Sequence, residues 1–291
     1  MNKLLNSNKN PILRDGLLLS FLILIVSGCI RKPEEVWINI NLDWKEYIPP
    51  KETMFVFYGN RGTHTHIGNP HGFQGFLPPD TYQVIVYNTD MKNAHAEIEG
   101  SYHTDKIVAA PALTRTDNSG EKLGLVDRVF GTGIQSINLS AKAFSIEVQP
   151  LSYAKKVTFF IDPGSIPDIE SVHLRIDGII KSRYITRNEA IETGAGFITD
   201  IAGYDSSVRK YSSIVSALGY TKTSRLIIEL HYTGGHVETT VPIHLAEHLA
   251  EFPEDSKTVE FTPIFPEGKQ ITVSAFIHGW NDGAPGAGVV E

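Results

Sequence analysis

Apolar and polar residues alternate with a period of two along much of the chain after residue 35. The first such segment places five apolar side chains on one face: Val36, Ile38, Ile40, Leu42 and Trp44. Polar residues occupy the opposite face, at Asn39, Asn41 and Asp43. Successive side chains of a β-strand point to opposite sides, so this spacing is typical of a strand with one buried face. We therefore predict a strand here whose apolar face lies in a core.

Similar segments recur along the chain and are separated by clusters of turn-forming residues. They span residues 54–58, 82–87, 134–139, 144–148, 157–161, 172–176, 226–232, 237–243, 259–261 and 271–277. In the second of these, Val84 and Val86 are predicted core residues. Short strands at this spacing predict an all-β protein built from β-sandwiches. Only short helices are expected, at residues 186–192, 206–218 and 245–251.

The length of the chain and the position of one proline predict two domains. The sequence has 291 residues, about twice the common domain size of roughly 100–150 residues. Gln149-Pro150 closes one strand, and residues 151–154 lead into the next. We therefore predict an N-terminal β-sandwich over residues 29–150 and a C-terminal β-sandwich over residues 151–291. Its last residues, rich in Gly, Ala and Pro, are typical of a flexible tail.

The N-terminus has the pattern of a secretory signal. Three basic residues precede an apolar run of about ten residues, at positions 17–26, which is too short to span a bilayer as a helix of about twenty residues. The run ends in Val26-Ser27-Gly28-Cys29, which resembles a bacterial lipobox. This resemblance implies that residues 1–28 are removed and that a diacylglycerol is attached to Cys29, anchoring the protein to a membrane. The alternatives are an uncleaved anchor or an ordinary signal peptide.

Charge and cysteine content exclude several classes of function. The formal net charge is −7, and loss of residues 1–28 removes three basic residues and one acidic residue, giving −9. An acidic chain without a basic cluster is not expected to bind nucleic acid. Cys29 is the single cysteine, so the chain forms no internal disulfide and no cysteine-based zinc site. The polar segment after Cys29 has no aspartate at its second position, which resembles an outer-membrane sorting signal. The acidic residues Glu34 and Glu35 that follow resemble signals for export to the cell surface.

Several segments together resemble the fimbrillin-related lipoproteins of Bacteroidales. They are the lipobox, the strand ending in Leu42-Asp43-Trp44, the strand ending in Phe57-Tyr58, the segment from Phe76 to Asn88, and Ile271-Thr272-Val273 with Gly279-Trp280. The most recognisable piece, Leu77-Pro78-Pro79-Asp80-Thr81-Tyr82, is similar to an L-P-P-G-x-Y element, with Asp80 in place of the usual glycine. The resemblance implies two tandem transthyretin-like β-sandwiches and a role in fibre assembly or adhesion at the cell surface.

The resemblance to fimbrium anchoring subunits also implies assembly with fimbrillin subunits by β-strand exchange. We expect a subunit with an intact first strand that donates its C-terminal segment, residues 271–291. The alternative for this segment is an ordinary final strand with a frayed end. The alternative function is glycan binding by a lipoprotein of a polysaccharide-uptake system. That reading depends on five aromatic residues that could stack on sugar rings, although several are expected in the core: Trp37, Tyr47, Tyr58, Phe73 and Phe76.

The sequence predicts neither an enzyme nor a cofactor. His244-Leu245-Ala246-Glu247-His248 matches the H-x-x-E-H zinc-hydrolase motif, but Pro242 and Pro253 leave little room for the helix that the motif requires. His64, His66 and His71 form the densest histidine group, in a glycine-rich segment expected to be a mobile hairpin tip. No nucleophile elbow, phosphate-binding loop or paired catalytic carboxylates are found. Cys29, as the lipidation site, is therefore the one functional residue assigned, and no metal ligand is assigned.

Overall fold

The computed structural model describes residues 35–278 apart from positions 46, 111, 113–120, 134, 141–142, 188, 192–194, 246–247 and 249–257. Its strands are β1 (Val36–Leu42), β2 (Thr53–Gly59), β3 (Gly62–Gly68), β4 (Gly72–Leu77), β5 (Asp80–Asn88), β6 (Ala94–Glu97), β7 (Lys106–Ala109), β8 (Phe130–Gly131), β9 (Gln135–Leu139), β10 (Phe144–Val148), β11 (Leu151–Ser152), β12 (Lys155–Asp162), β13 (Ile169–Ile179), β14 (Ser182–Tyr184), β15 (Ala190–Ile191), β16 (Gly196–Asp205), β17 (Lys210–Ala217), β18 (Tyr220–Tyr232), β19 (Val237–Thr239), β20 (Ile243–His244), β21 (Thr258–Phe261) and β22 (Thr272–His278). The all-β prediction is confirmed. The predicted signal peptide, Cys29 and the tail beyond residue 278 lie outside the described residues.

The first sandwich consists of two sheets that enclose one hydrophobic cluster. The three-stranded sheet has the order β10-β1-β4, in which β1 runs parallel to β10 and antiparallel to β4. The six-stranded sheet has the order β11-β8-β5-β2-β3, with β9 also paired to β5. The cluster combines residues of both sheets, including Val36, Ile38, Ile40, Phe55, Phe57, Val84 and Val86. The predicted core residues of this region are confirmed as buried: Leu42, Trp44, Val84 and Val86.

The second sandwich is formed by one nine-stranded sheet of order β19-β18-β13-β16-β17-β12-β22-β21, with β20 also paired to β18. Strand β16 passes between its two parts, because residues 196–202 pair with β13 and residues 203–205 pair with β17. Buried side chains of both parts meet in one cluster, among them Val157, Phe159, Val172, Leu174, Leu226, Ile228, Val273 and Ile277. The sheet therefore folds over its own core.

Strand pairing joins the two halves of the chain across residue 150. β11 pairs with β8, and β14 pairs with β7 in a four-stranded sheet of order β15-β14-β7-β6. Val56 and Ile85, in the six-stranded sheet, belong to the same cluster as the core of the second sandwich. The division into residues 29–150 and 151–291 stays a prediction.

Two of the expected helices are wrong. Residues 206–209 form a turn, and β17 follows at Lys210–Ala217, paired to β12 and β16. The strand is favoured because Tyr211, Ser213 and Val215 alternate as buried residues and Val215 is β-branched. Residues 185–187 are likewise a turn, followed by the short strand β15. The third expected helix, at residues 245–251, lies mostly outside the described residues.

The Leu77-Pro78-Pro79-Asp80-Thr81-Tyr82 element delivers a tyrosine into the core, as its resemblance implies. Tyr82 is fully buried, and its hydroxyl donates a hydrogen bond of 2.9 Å to the carbonyl oxygen of Pro78. Asp80 accepts hydrogen bonds from the backbone N–H of Arg61 at 3.0 Å and from the Asn60 amide at 3.0 Å. The aspartate that replaces glycine therefore fastens the turn between β2 and β3 to the start of β5.

Candidate functional site

An exposed aromatic pair lies on the outer face of the three-stranded sheet. The alternation of β1 buries Val36 and Ile38 and turns Trp37 outward. Trp37 is directly opposite Phe76 of β4, and opposite residues of an antiparallel pair project from the same face. Their ring centroids lie 5.0 Å apart with an edge-on angle of 69°. Because 39% of Trp37 and 57% of Phe76 remain exposed, the pair offers apolar surface to a ligand or partner.

Amide side chains continue this face beside the aromatic pair. Asn39 is opposite Gln74 of β4 and adjacent to Ser145 of β10. Asn39 Nδ2 donates a hydrogen bond of 3.1 Å to Ser145 Oγ, whereas Asn39 Oδ1 is buried and accepts no hydrogen bond among the described residues. An apolar platform beside oriented amide groups can bind a flat ligand that carries hydroxyl groups.

The five aromatic residues considered for glycan binding separate into two groups. Tyr58 and Phe73 are buried in the core, and Tyr47 packs on Phe130 with ring centroids 5.2 Å apart. Only Trp37 and Phe76 of this set are exposed and adjacent. The sequence already indicated that Trp37 is exposed, because this residue falls on the polar face of an alternating strand.

Strand β3 forms a free edge of the six-stranded sheet. It pairs with β2 in continuous register from Gly59–Gly62 to Thr53–Gly68, and its other side pairs with no strand among the described residues. The strand contains no charged residue, no proline and no bulge, which are the usual devices that protect an edge. Its unpaired N–H and C=O groups can therefore accept an added strand.

Hydrogen bonding at Asp80 holds one end of this edge in place. Partial burial acts to raise the pKa of Asp80, but the donors on Arg61, Thr81 and Asn60 lower it below its ordinary value. The ionised carboxylate thus fixes the turn from which β3 begins. The expectation of a mobile hairpin tip at residues 62–72 is corrected by the structure, since these residues form the paired strands β3 and β4 with a short corner between them.

The predicted histidine groups lie in different surroundings. The ring of His66 packs 4.9 Å from that of Phe73, and burial, followed by the charge of His64, lowers the pKa of His66. His71 is exposed in the corner after β3.

His244 belongs to strand β20, and the ring of His248 stacks on that of Phe261 with centroids 4.9 Å apart. Because His244 pairs with Arg225 in a sheet, it does not share a helix with His248 as the zinc-hydrolase motif requires.

The last described strand has neighbours on both sides. β22 pairs with β12 through seven residue pairs and with β21 through four. Val273, Ala275 and Ile277 point into the core. Donation of this strand to another subunit would break both ladders and expose that apolar face.

No helix among the described residues has the length and apolarity needed to cross a bilayer. This finding concerns the described part of the chain only. The apolar run at residues 17–26 lies outside it.

Comparison with known proteins gives a similarity of fold. No protein-family model matches the chain, and a search of curated proteins finds no match. The structure is similar to that of a Bacteroides ovatus protein provisionally described as an adhesin, with a TM-score of 0.60 and 16% identity, covering 86% of this chain and 90% of that chain. A second Bacteroides ovatus protein described in the same terms gives a TM-score of 0.47 with 10% identity, covering 83% and 84% of the two chains. The shared fold rests on the first of these.

Proposed function

We propose that this chain is a lipid-anchored adhesion protein of the bacterial outer surface that acts as an anchor or accessory subunit of a fimbrium. The observation that carries the proposal is the all-β fold it shares, over 86% of its length, with a Bacteroides ovatus protein provisionally described as an adhesin. The lipobox ending at Cys29 supplies the attachment to the membrane. No catalytic role is assigned.

The free edge of β3 is the surface through which the protein binds a fimbrillin strand in this proposal. Adding a strand to β3 breaks no existing pairing, whereas release of β22 would break pairs with β12 and β21. Backbone hydrogen bonds along the edge give affinity, and alternate side chains give register. The proposed exchange therefore makes this subunit an acceptor, in contrast to the donor role expected from the sequence.

Lysines introduced on β3 test the edge. The double variant Thr63→Lys with Thr65→Lys places charges on two exposed positions of an edge strand, where lysine discourages strand addition. The matched control is Thr81→Lys, an exposed position on β5. Strand β5 lies inside the same sheet, with β2 on one side and β8 and β9 on the other, so it offers no free edge there. Fimbrillin subunits should co-purify with the wild type and the control but not with the double variant. Equal co-purification of all three would contradict the role of β3.

Glycan binding is the second candidate, and the aromatic pair favours it. If a sugar stacks on this face, Trp37→Ala with Phe76→Ala should abolish signals on a glycan array while the melting temperature changes little, because both rings are exposed. Tyr204→Ala removes an exposed ring from another sheet and should leave the array unchanged. Absence of any wild-type signal would count against this candidate and leave the fimbrial proposal unaffected.

A further inference from the structure

Two histidines and a glutamate converge on the outer face of the second sandwich. His173 lies on β13 directly opposite Glu229 of β18, and His231 lies two residues further along β18, opposite Ser171. The ligand atoms of His173, Glu229 and His231 all lie within 4.8 Å of one another. From this geometry we propose that the three side chains form a binding site for a divalent transition-metal ion, with Zn²⁺ as the ion that fits best.

The spacing of the donor atoms matches tetrahedral coordination. Zn²⁺ binds histidine nitrogen and carboxylate oxygen at roughly 2.0–2.2 Å, so neighbouring ligand atoms of a tetrahedral site lie about 3.3 Å apart. Nε2 of His231 is already 3.3 Å from Oε2 of Glu229. The imidazole rings of His173 and His231 are stacked with centroids 4.0 Å apart and an angle of 23°. Since all three donor atoms lie within 4.8 Å of one another, metal binding requires the stacked rings to turn about their side-chain bonds until both ring nitrogens point at the ion.

The hydroxyl of Ser171 orients the ring of His173, which lies two residues away on the same strand, β13. The Ser171 oxygen lies 3.0 Å from Nε2 of His173, which leaves Nδ1 of that ring as the donor to the metal. Histidine ligands in metal sites generally have such a partner on the second ring nitrogen.

The site lies over buried core residues of the sheet and retains access to solvent. Behind it, the buried side chains of Val172, Leu174 and Leu230 hold both strands against the core. The side chains of His231 and Glu229 are 30% and 39% exposed. The nearest cation on the same face of β13, Arg175, pairs with Asp177 at 2.9 Å and lies over the Phe197 ring. Three protein ligands and an open position resemble a His₂Glu zinc site, whose fourth ligand is water or a group from another molecule.

The choice of ion follows from the donor set. Two imidazole nitrogens and one carboxylate suit Zn²⁺ and its transition-metal neighbours. Ca²⁺ requires six to eight oxygen ligands, and Mg²⁺ prefers an octahedral set of oxygens. His173 and His231 belong to neither of the histidine groups that the sequence singled out. The proposed metal site does not depend on the proposed fimbrial role.

Zinc titration of the purified full chain in mild detergent tests the proposal. After treatment with a chelator and dialysis, calorimetry with ZnCl₂ should give one ion per chain. His173→Gln and His231→Gln should each weaken binding at least tenfold. The matched control is His95→Gln, because His95 also faces a glutamate two residues away, Glu97 at 3.4 Å, but has no second histidine across the sheet among the described residues. Circular dichroism verifies that each variant is folded.

Cobalt provides a second readout that a simple ion pair would not produce. Co²⁺ bound by the wild type should show the intense visible d–d bands of tetrahedral coordination, and these bands should disappear in Glu229→Gln. Absence of zinc binding, equal loss in His95→Gln, or unchanged binding in both His173→Gln and His231→Gln would overturn the proposal. Loss of binding upon His64→Gln or His248→Gln instead would also overturn it, because the ion would then occupy another histidine group.

Discussion

The hydroxyl of Tyr153 donates a hydrogen bond of 2.6 Å to the backbone carbonyl oxygen of Ile185. Both residues are fully buried. The backbone N–H of Tyr153 in turn donates to the carbonyl of Val129 at 2.8 Å. One residue just after the predicted domain boundary thus connects a loop of the second half of the chain with a strand-bearing segment of the first half.

We expect Tyr153→Phe to lower the free energy of unfolding by about 1–3 kcal/mol, because it leaves the buried carbonyl of Ile185 without a donor. Urea denaturation followed by fluorescence measures the change. Tyr204→Phe, at an exposed tyrosine, should alter the free energy by less than about 0.5 kcal/mol. A similar small effect for Tyr153→Phe would show that the hydrogen bond contributes little.

Two glycines with nearly equal φ angles allow the cost of backbone strain to be distinguished from the cost of a steric clash. Gly62 and Gly72 have φ of 138° and 140°. A Cβ at Gly72 would lie 1.8 Å from the carbonyl oxygen of Ile40, whereas at Gly62 nothing lies within 4 Å. Gly62→Ala should therefore cost only the strain of about 1–3 kcal/mol, and Gly72→Ala should cost roughly 1–3 kcal/mol more. Thermal melts of the two variants measure this difference. Equal decreases in melting temperature would contradict the close packing at the corner between β3 and β4.

A buried carboxylate makes stability depend on pH. Asp105 is fully buried and accepts hydrogen bonds from the Tyr58 hydroxyl and, at 2.9 Å, from the backbone N–H of Glu99. Burial raises the pKa of Asp105 above its ordinary value. The folded state then binds the proton more tightly than the unfolded state. The stability contributed by the protonated form is accordingly lost as the pH rises through the folded pKa.

Asp105→Asn removes this dependence. Its melting temperature should therefore rise relative to the wild type as the pH increases from about 4 to 7. Asp205→Asn provides the opposite control, because hydrogen bonds from Ser207 lower the pKa of Asp205. The wild type should therefore gain on that variant as the pH rises through the range below about 4, and the difference between them should stay nearly constant from about 4 to 7. Parallel pH profiles for Asp105→Asn and the wild type would refute the role of the buried carboxylate.

Loss of the thiol at Cys29 should release the protein from the membrane, since this is the only cysteine that could accept a diacylglycerol. Metabolic labelling with a radioactive fatty acid, followed by fractionation, should show label and membrane attachment in the wild type and neither in Cys29→Ala. Ser27→Ala retains the cysteine and a small residue before it, so it should remain labelled. Label that persists in Cys29→Ala would end the lipoprotein interpretation.

The sequence alone determined the strands whose alternation is local. Val36 to Leu42 reveals its buried face because the direction of a side chain in a strand depends only on its position in the chain. Trp37 could also be placed on the outer face in this way. The continuous apolar run around Val84 predicts a strand that is buried on both faces, as the structure shows. The same reasoning failed at residues 206–218, where the strand is stabilised by its pairing with β12 and β16, partners that lie outside the segment.

Only the tertiary structure decided which of these faces and edges meet. Trp37 faces Phe76 across a register between β1 and β4, and His173 faces Glu229 across a register between β13 and β18. Likewise, β22 is paired on both sides, whereas β3 lies at an edge of its sheet among the described residues. Register and strand order depend on packing among residues that are far apart in the sequence. A local pattern of apolar and polar residues carries no information about either.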